Sequence, residues 1–285
     1  MSDLSVVIAS RGRPVECDRA WRSVVSHFPG TELIVVEQAS EVGSYPVGDD
    51  FPGTWIRQAA RGVSRARNRG LDEVTSGSVL FLDDDAQVVP TLRALVEVHE
   101  DVGAAATAGR VRYQPSRRVT HLDSSTELTP TTVGRCFIEF ATIFDTETLR
   151  SAGGFDERLG VGTDFGAEEG TALLAHLSRS ADAPLRYEPI VMCEHPDVDS
   201  PPDAKARSYG RGLGALVPLH PTSWWIWRYV TFTTLRTAIG SLVLVARGEM
   251  SAAWPRWHRL RGVVEGVGLG IVYRLRRSSE GGQRV

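Results

Sequence analysis

Ser78-Val79-Leu80-Phe81-Leu82-Asp83-Asp84-Asp85 is the stretch on which the reading of this chain turns. An apolar run of this length makes a short buried strand, and three carboxylates follow at its carboxyl end. Two carboxylates about 5 Å apart, at an effective dielectric near 20, repel by roughly 3 kcal/mol, so a third is costly unless water or a cation takes up the charge. Hard divalent cations such as Mg2+ and Mn2+ favour carboxylate oxygens, keep positions open for water and are completed by the phosphates of a substrate. The cluster therefore points to a metal and a nucleotide. The competing reading is that the aspartates cap a helix beginning after Pro90, or form a surface Asx turn, and one aspartate suffices for either.

Working outward, strand-like runs at residues 4–9, 32–36 and 78–82 alternate with helical stretches at 15–28, 64–75 and 91–101. That alternation predicts an α/β fold of βαβ units on a mainly parallel sheet. Ligands on such sheets lie beyond the carboxyl ends of the strands, where Ser10-Arg11, Glu37-Gln38 and Asp83 to Asp85 all fall. The middle of the chain predicts shorter strands at 107–113 and 137–144, then a turn-rich segment at 153–160. A helix is predicted over 169–180, with acids in its first turn, where the helix dipole favours them. From Pro201 the character changes to a helical, aromatic-rich extension, and there is no internal repeat.

At 285 residues and 42% hydrophobic content the chain is long and apolar enough for a large core. A formal net charge of -3 and a pI near 6.2 give no general affinity for nucleic acid. The end is locally basic: from Pro255 onward arginines 256, 259, 261, 274, 276, 277 and 284 face only Glu265 and Glu280. Lys205 is the only lysine, which removes lysine chemistry from almost every position. Cys17, Cys136 and Cys193 are too scattered for a disulfide framework or a CxxC metal site, so a reducing compartment is expected. Met1-Ser2-Asp3 leads directly into the first strand without a charged leader or apolar signal core, and the expectation is cytoplasmic.

The most apolar stretch runs from Trp224-Trp225-Ile226-Trp227 to Leu242-Val243-Leu244-Val245-Ala246, interrupted by Arg228 and Arg236. Those arginines argue against a simple membrane span. Two readings stand level: a peripheral amphipathic helix on anionic lipid at the inner face of the cell membrane, or a helix packed on the rest of the chain or in a homodimer interface.

Taken together these elements resemble the family 2 glycosyltransferases, inverting enzymes of the GT-A fold that use nucleotide-diphospho-sugars. Val6-Val7-Ile8-Ala9-Ser10-Arg11-Gly12-Arg13-Pro14 is similar to that family's opening strand and nucleotide loop, and Val35-Val36-Glu37-Gln38-Ala39-Ser40 to its second strand, with Glu37 where an aspartate usually meets the base. Gly62-Val63-Ser64-Arg65-Ala66-Arg67-Asn68-Arg69-Gly70 resembles the segment that precedes the metal motif, which places Arg67 and Asn68 near the donor. Phe81 to Asp85 resembles the DxD motif, which implies Asp83 and Asp84 on the sugar-nucleotide side and Asp85, with Asp83, on Mn2+ or Mg2+. Gly153-Gly154-Phe155-Asp156-Glu157 is similar to the acceptor-side turn, and His195 in Cys193-Glu194-His195-Pro196 stands where the family often completes the metal site. Ser208-Tyr209-Gly210-Arg211-Gly212-Leu213-Gly214 resembles a following segment, from which Arg207 or Arg211 would clamp the diphosphate. The implied organisation is a transferase domain over 1–217 and a helical, aromatic and basic extension over 218–285.

The resemblance implies a carboxylate base from a Glu-Asp pair with a second aspartate two residues on. Here Glu169 aligns with the pair's glutamate, while Gly170 and Ala172 occupy the positions of the two aspartates. Either Glu169 or Glu168 serves as base, or both only stabilise the helix start. The first expectation is an inverting, metal-dependent transfer of a hexosyl or related sugar to a glycan, lipid-linked or small-molecule hydroxyl. The alternative is a catalytically silent sugar-nucleotide-binding or scaffold protein of the same fold. A nucleotidyltransferase is disfavoured, because its glycine-rich loop with a following Pro-Lys is absent.

Overall fold

The computed structural model describes residues 3–38, 50–114, 121–196 and 203–281; Ala39, Ser40, Pro201 and Arg284 lie outside the described residues. By compactness the chain divides into two units, one of Met1–Phe155 with His176–Asp197 and the other of Asp156–Ala175 with Val198–Val285. The division at 217/218 expected from sequence separates a transferase stretch from an extension, which is a statement about function rather than compactness.

The first unit opens with β1 (Leu4–Ser10), α1 (Pro14–His27), β2 (Glu32–Glu37), β3 (Thr54–Arg57), α2 (Val63–Leu71) and β4 (Ser78–Asp83). Pro14 starts α1, where its missing N–H costs no helical hydrogen bond. These four strands are parallel, in the order β3-β2-β1-β4. Both faces of β1 and β4 are buried, which is why Val6-Val7-Ile8 and Val79-Leu80-Phe81-Leu82 are continuous apolar runs rather than alternating ones. Gly70 of α2 lets that helix lie against β1, since a Cβ there would come 2.3 Å from Val7 Cγ1.

Next come β5 (Gln87–Val88), α3 (Leu92–Val102), β6 (Ala106–Gln114), β7 (Thr126–Glu127), α4 (Val133–Cys136), β8 (Thr142–Asp145), α5 (Thr146–Ser151), α6 (Glu169–Ser180) and β9 (Leu185–Pro196). They continue the sheet as β4-β8-β6-β9-β5, with β7 on β9. The β4/β8, β8/β6 and β9/β5 pairs are antiparallel and β6/β9 is parallel, so the nine-stranded sheet is mixed beyond β4. The strand predicted over 137–144 is shortened to β8, because Glu139–Ala141 winds into a single 3-10 turn. The core on one side of the sheet gathers Ile8, Trp21, Val24, Leu80, Leu92, Leu95 and Met192.

The second unit holds the loop from Asp156, the start of α6, and three long helices, α7 (Asp203–Leu219), α8 (Trp224–Ala246) and α9 (Met250–Gly281). Helices α7 and α9 run in the same direction with their backbones almost touching. A Cβ on Gly210 would meet Arg259 O at 2.0 Å, one on Gly214 would meet Val263 O at 2.0 Å, and in return Gly262 and Gly266 face the carbonyls of Arg207 and Arg211 at 2.1 Å. Four glycines at four-residue spacing, two on each helix, permit that approach. Ser223 caps α8 by accepting from Ile226 N, at 3.4 Å.

Candidate active site

The β1, β2 and β4 strands end together. Their register sets Ala9 against Asp83 and Ser10 against Glu37, so the ends of all three strands share one edge of the sheet. Ser10 Oγ donates to Asp84 Oδ2 at 2.9 Å, and the Arg11 backbone N–H also donates to that carboxylate; the Arg11 side chain is exposed. Asp84 is thereby turned inward as a brace between the two loops rather than outward toward a ligand. Burial pushes its carboxyl up from the ordinary aspartate range, with Ser10 and Arg13 opposing.

Asp83 and Asp85 face the other way and meet His195, the ligand atoms of all three lying within 4.8 Å of one another. Strand β9 delivers the histidine, pairing His195 with Tyr113 of β6. The ring is stacked on Phe140 with centroids 5.0 Å apart. His195 Nδ1 lies 2.6 Å from the carbonyl of Pro196 and Nε2 lies 3.0 Å from Asp85 Oδ1; both partners only accept, so both nitrogens carry protons, and Nε2 is the atom aimed into the cluster. A backbone acceptor on the far nitrogen is the usual way a protein fixes a histidine for metal binding. Two carboxylate oxygens and one imidazole nitrogen form a donor set suited to Mn2+ or Mg2+.

Charge supports the same fit. Four carboxylates gather here, Asp83, Asp84, Asp85 and Glu139, against two guanidinium groups. Arg67 Nη2 donates to Asp83 Oδ1 at 3.0 Å and lies 3.8 Å from Glu139 Oε1, and Arg13 Nη1 donates to Asp85 Oδ2 at 2.6 Å and Asp84 Oδ1 at 3.2 Å. The four carboxylates outnumber the two guanidinium groups by two negative charges, and the His195 ring, with an acceptor at each nitrogen, offsets one of them; with that proton given up the excess is two, the charge of one divalent cation. Burial pushes Asp83 up to about 6, with Arg67 pulling it down and Glu139 and Asp85 raising it further. For Asp85, burial raises the carboxyl, but the hydrogen bond and charge of His195 and those of Arg13 prevail and hold it below the ordinary range. For His195 the signs reverse: burial lowers it, and Asp85 outweighs that to hold it above the usual value.

Other residues singled out from sequence have partners that define them differently. Glu37 is buried, with Trp55 Nε1 donating to it at 3.3 Å and Arg57 Nε forming an ion pair at 3.7 Å. Asn68 spends both ends of its amide on the Phe155 backbone, donating to O at 2.9 Å and accepting from N at 2.8 Å, and so braces the turn of Gly153 and Gly154. A side chain on Gly154, at φ +71, would meet Asn68 Oδ1 at 2.6 Å. Glu139 and Arg13 carry charge at the cluster and were not singled out as ligands of it. Glu139 reaches Arg67 through the 3-10 turn, for which its sequence has no marker.

In the second unit Glu169 is buried as the first residue of α6. Glu168 just before it has φ 77, the one described non-glycine residue in the left-handed region. Its carboxylate accepts from the Tyr229 hydroxyl at 2.9 Å and lies 3.5 Å from Arg259 Nη2. Arg207 and Arg211, expected to clamp a diphosphate, both bind Glu265, Arg211 Nε at 3.1 Å and Arg207 Nε at 2.8 Å, and Arg261 joins them at 3.2 Å. Hydrogen bonds from Arg207 and Arg211 hold Glu265 down at about 2.

Similarity to known proteins bears on family and fold. The profile of the family described as "Glycosyl transferase family 2" matches residues 5–154. "Pre-mycofactocin glycosyltransferase" of Mycobacterium tuberculosis, from strains CDC 1551 / Oshkosh and ATCC 25618 / H37Rv, is 30% identical over 243 residues, covering 77% of this chain and 48% of the relative. The chain thus spans about half the length of the curated relatives it matches. The crystal structure of S. aureus TarS 1-349 superposes with a TM-score of 0.61 at 13% identity, covering 95% of this chain and 91% of that one. The same TarS segment in complex with UDP-GlcNAc gives a TM-score of 0.56 at 12% identity, with the same coverage. These structures share the GT-A fold, a mixed α/β sheet with helices after it. A family match that runs from β1 through the Asp83 to Asp85 cluster to the turn braced by Asn68, over more than half the chain, places the protein among the glycosyltransferases, as a member of family 2.

Proposed function

We propose that this chain is an inverting transferase that moves a sugar from a nucleoside diphosphate to an acceptor hydroxyl, with a divalent cation held by Asp83, Asp85 and His195. The observation that carries the reading is the excess of negative charge at a site whose three ligand atoms lie within 4.8 Å of one another, the excess being two once His195 gives up its Nε2 proton. When bound there, such a cation neutralises the charge that grows on the leaving diphosphate. The TarS complex named for UDP-GlcNAc, on the same fold, supports a nucleotide-sugar donor.

The chain's own groups do the rest. Arg67, buried and fixed on Asp83, keeps that carboxylate ionised and oriented. Arg13, with its side chain about half exposed, holds Asp84 and Asp85 until a ligand arrives and is then free to turn to a phosphate. Ser10 and Glu37 close the nucleotide end, with Glu37 facing the base. Glu169 takes the proton from the attacking hydroxyl as the bond to the anomeric carbon forms opposite the leaving group. Glu168, whose carboxylate accepts from Tyr229, is second choice, because it is Glu169 that aligns with the glutamate of the family's acidic pair. Gly170 and Ala172, where the family carries acids, favour the second reading of a silent sugar-nucleotide-binding protein.

Calorimetric titration with uridine, thymidine and guanosine diphosphates and their sugars, each with Mn2+ and with EDTA, tests the proposal. An assay for slow donor hydrolysis and the anomeric configuration of the released sugar completes it. Metal-dependent binding with hydrolysis to the inverted anomer is expected. Binding unaffected by EDTA sinks the metal assignment, and binding with no turnover on any acceptor favours the silent protein.

A further inference from the structure

Charge is distributed unevenly along the chain. Residues 220–285 carry ten arginines and three glutamates, a balance of +7, which leaves 22 basic and 32 acidic residues, -10, for the rest of a chain of formal net charge -3. Nearly all of that basic segment lies in α8 and α9, joined at Arg247-Gly248-Glu249; Arg284 lies outside the described residues. Each helix turns a row of large apolar side chains to solvent. On α8 the row is Trp224, Trp227, Leu235, Ile239 and Leu242, spaced by three, four or eight residues and each at least half exposed. On α9 it is Met250, Trp254, Trp257, Val264, Val272 and Leu275, again at helical spacing. Arg228, Arg236, Arg247, Arg256, Arg261, Arg274 and Arg276 are exposed among them.

We propose that this pair of helices docks on the surface of an anionic lipid bilayer, lying in the interface with its tryptophans at head-group level. Apolar rows of this size on a water-soluble surface mark a binding face. The arginines decide what binds: negative lipid head-groups attract them, whereas two copies of this chain would bring two arginine-rich surfaces together. Tryptophan with arginine is the composition of an interfacial helix. Helix α8 is the one described helix long and apolar enough to cross a membrane, but Arg236 sits one residue from its midpoint, where a spanning helix would hold a guanidinium at the bilayer centre. Lying flat lets the arginines reach the head-groups while their stems stay on the apolar row. None of this depends on which carboxylate is the base or on the metal.

The test uses the full chain, floated with vesicles of phosphatidylcholine alone or with one third phosphatidylglycerol, at low and high salt, followed by a carbonate wash. The expected result is flotation with the anionic vesicles only, lost at high salt and removed by carbonate. Each arginine near the surface contributes about fivefold to partitioning, so R228E/R236E should weaken binding by at least about 25-fold. W224A/W227A should weaken it about tenfold or more through lost apolar burial. Both variants are to keep the wild-type circular dichroism and donor titration. Equal binding to neutral vesicles, resistance to carbonate, or no vesicle binding together with a dimer in light scattering each overturns the proposal.

Discussion

Two of the acid-arginine clusters among the described residues, one in each compact unit, solve opposite problems. At the end of β4 four carboxylates share two guanidinium groups; in the helical unit Glu265 alone accepts from Arg207, Arg211 and Arg261. The second cluster is complete, with every lone pair of its carboxylate in use and positive charge to spare. The first is left short of cations while its histidine is held in orientation by Pro196 and Phe140. A carboxylate ringed by arginines asks for no further cation; under-paired carboxylates do.

The largest effect that would break this contrast comes from Asp85→Ala, which should abolish metal-dependent donor binding in calorimetry; full retention would show the cluster to be structural. Next, Glu169→Gln should lower kcat by about 10²- to 10⁴-fold while donor binding survives, as expected for loss of a proton acceptor, with Glu168→Gln milder in a steady-state assay. In the helical unit Gly214→Leu forces a side chain into Val263 O, and thermal unfolding should show a loss of about 3 kcal/mol or more from overpacking. Arg13→Gln sharpens the comparison from the other side. It removes the cation already resident on Asp85 and should tighten Mn2+ binding without donor by about threefold to fivefold, the worth of one half-exposed ion pair. Smallest of all, Glu265→Gln should leave metal and donor binding unchanged and shift the melting temperature only slightly, since its carboxylate is solvent-screened.

How much of this could be read from the residues divides along the same line. Runs such as Val6-Val7-Ile8 and Val79-Leu80-Phe81 announce buried strands, and the capping and periodicity of 169–180 match α6 to the residue, because those signals are local. His195 stands 110 positions after Asp85 and reached the cluster only through family resemblance; no local pattern links them. Glu139 arrives by a 3-10 turn inside a stretch whose alternation reads as strand. The left-handed backbone of Glu168 and its bond to Tyr229 are long-range facts, fixed by packing rather than propensity. Gly210, Gly212 and Gly214 fall in a stretch read only as helical and family-like, and in the structure Gly210 and Gly214 are the contact points of α7 on α9 while Gly212 clears the Ala167 carbonyl. Spacing gave no sign of which surface each glycine would meet.

The central claim, that the under-paired cluster holds one divalent cation, is tested most directly by electron paramagnetic resonance of Mn2+ titrated into the wild-type protein and into Asp85→Ala, with a nucleoside diphosphate present. The account predicts one equivalent of bound Mn2+ in the wild type and loss of that bound signal in the variant. Free Mn2+ in both, or the same bound population in both, would contradict it.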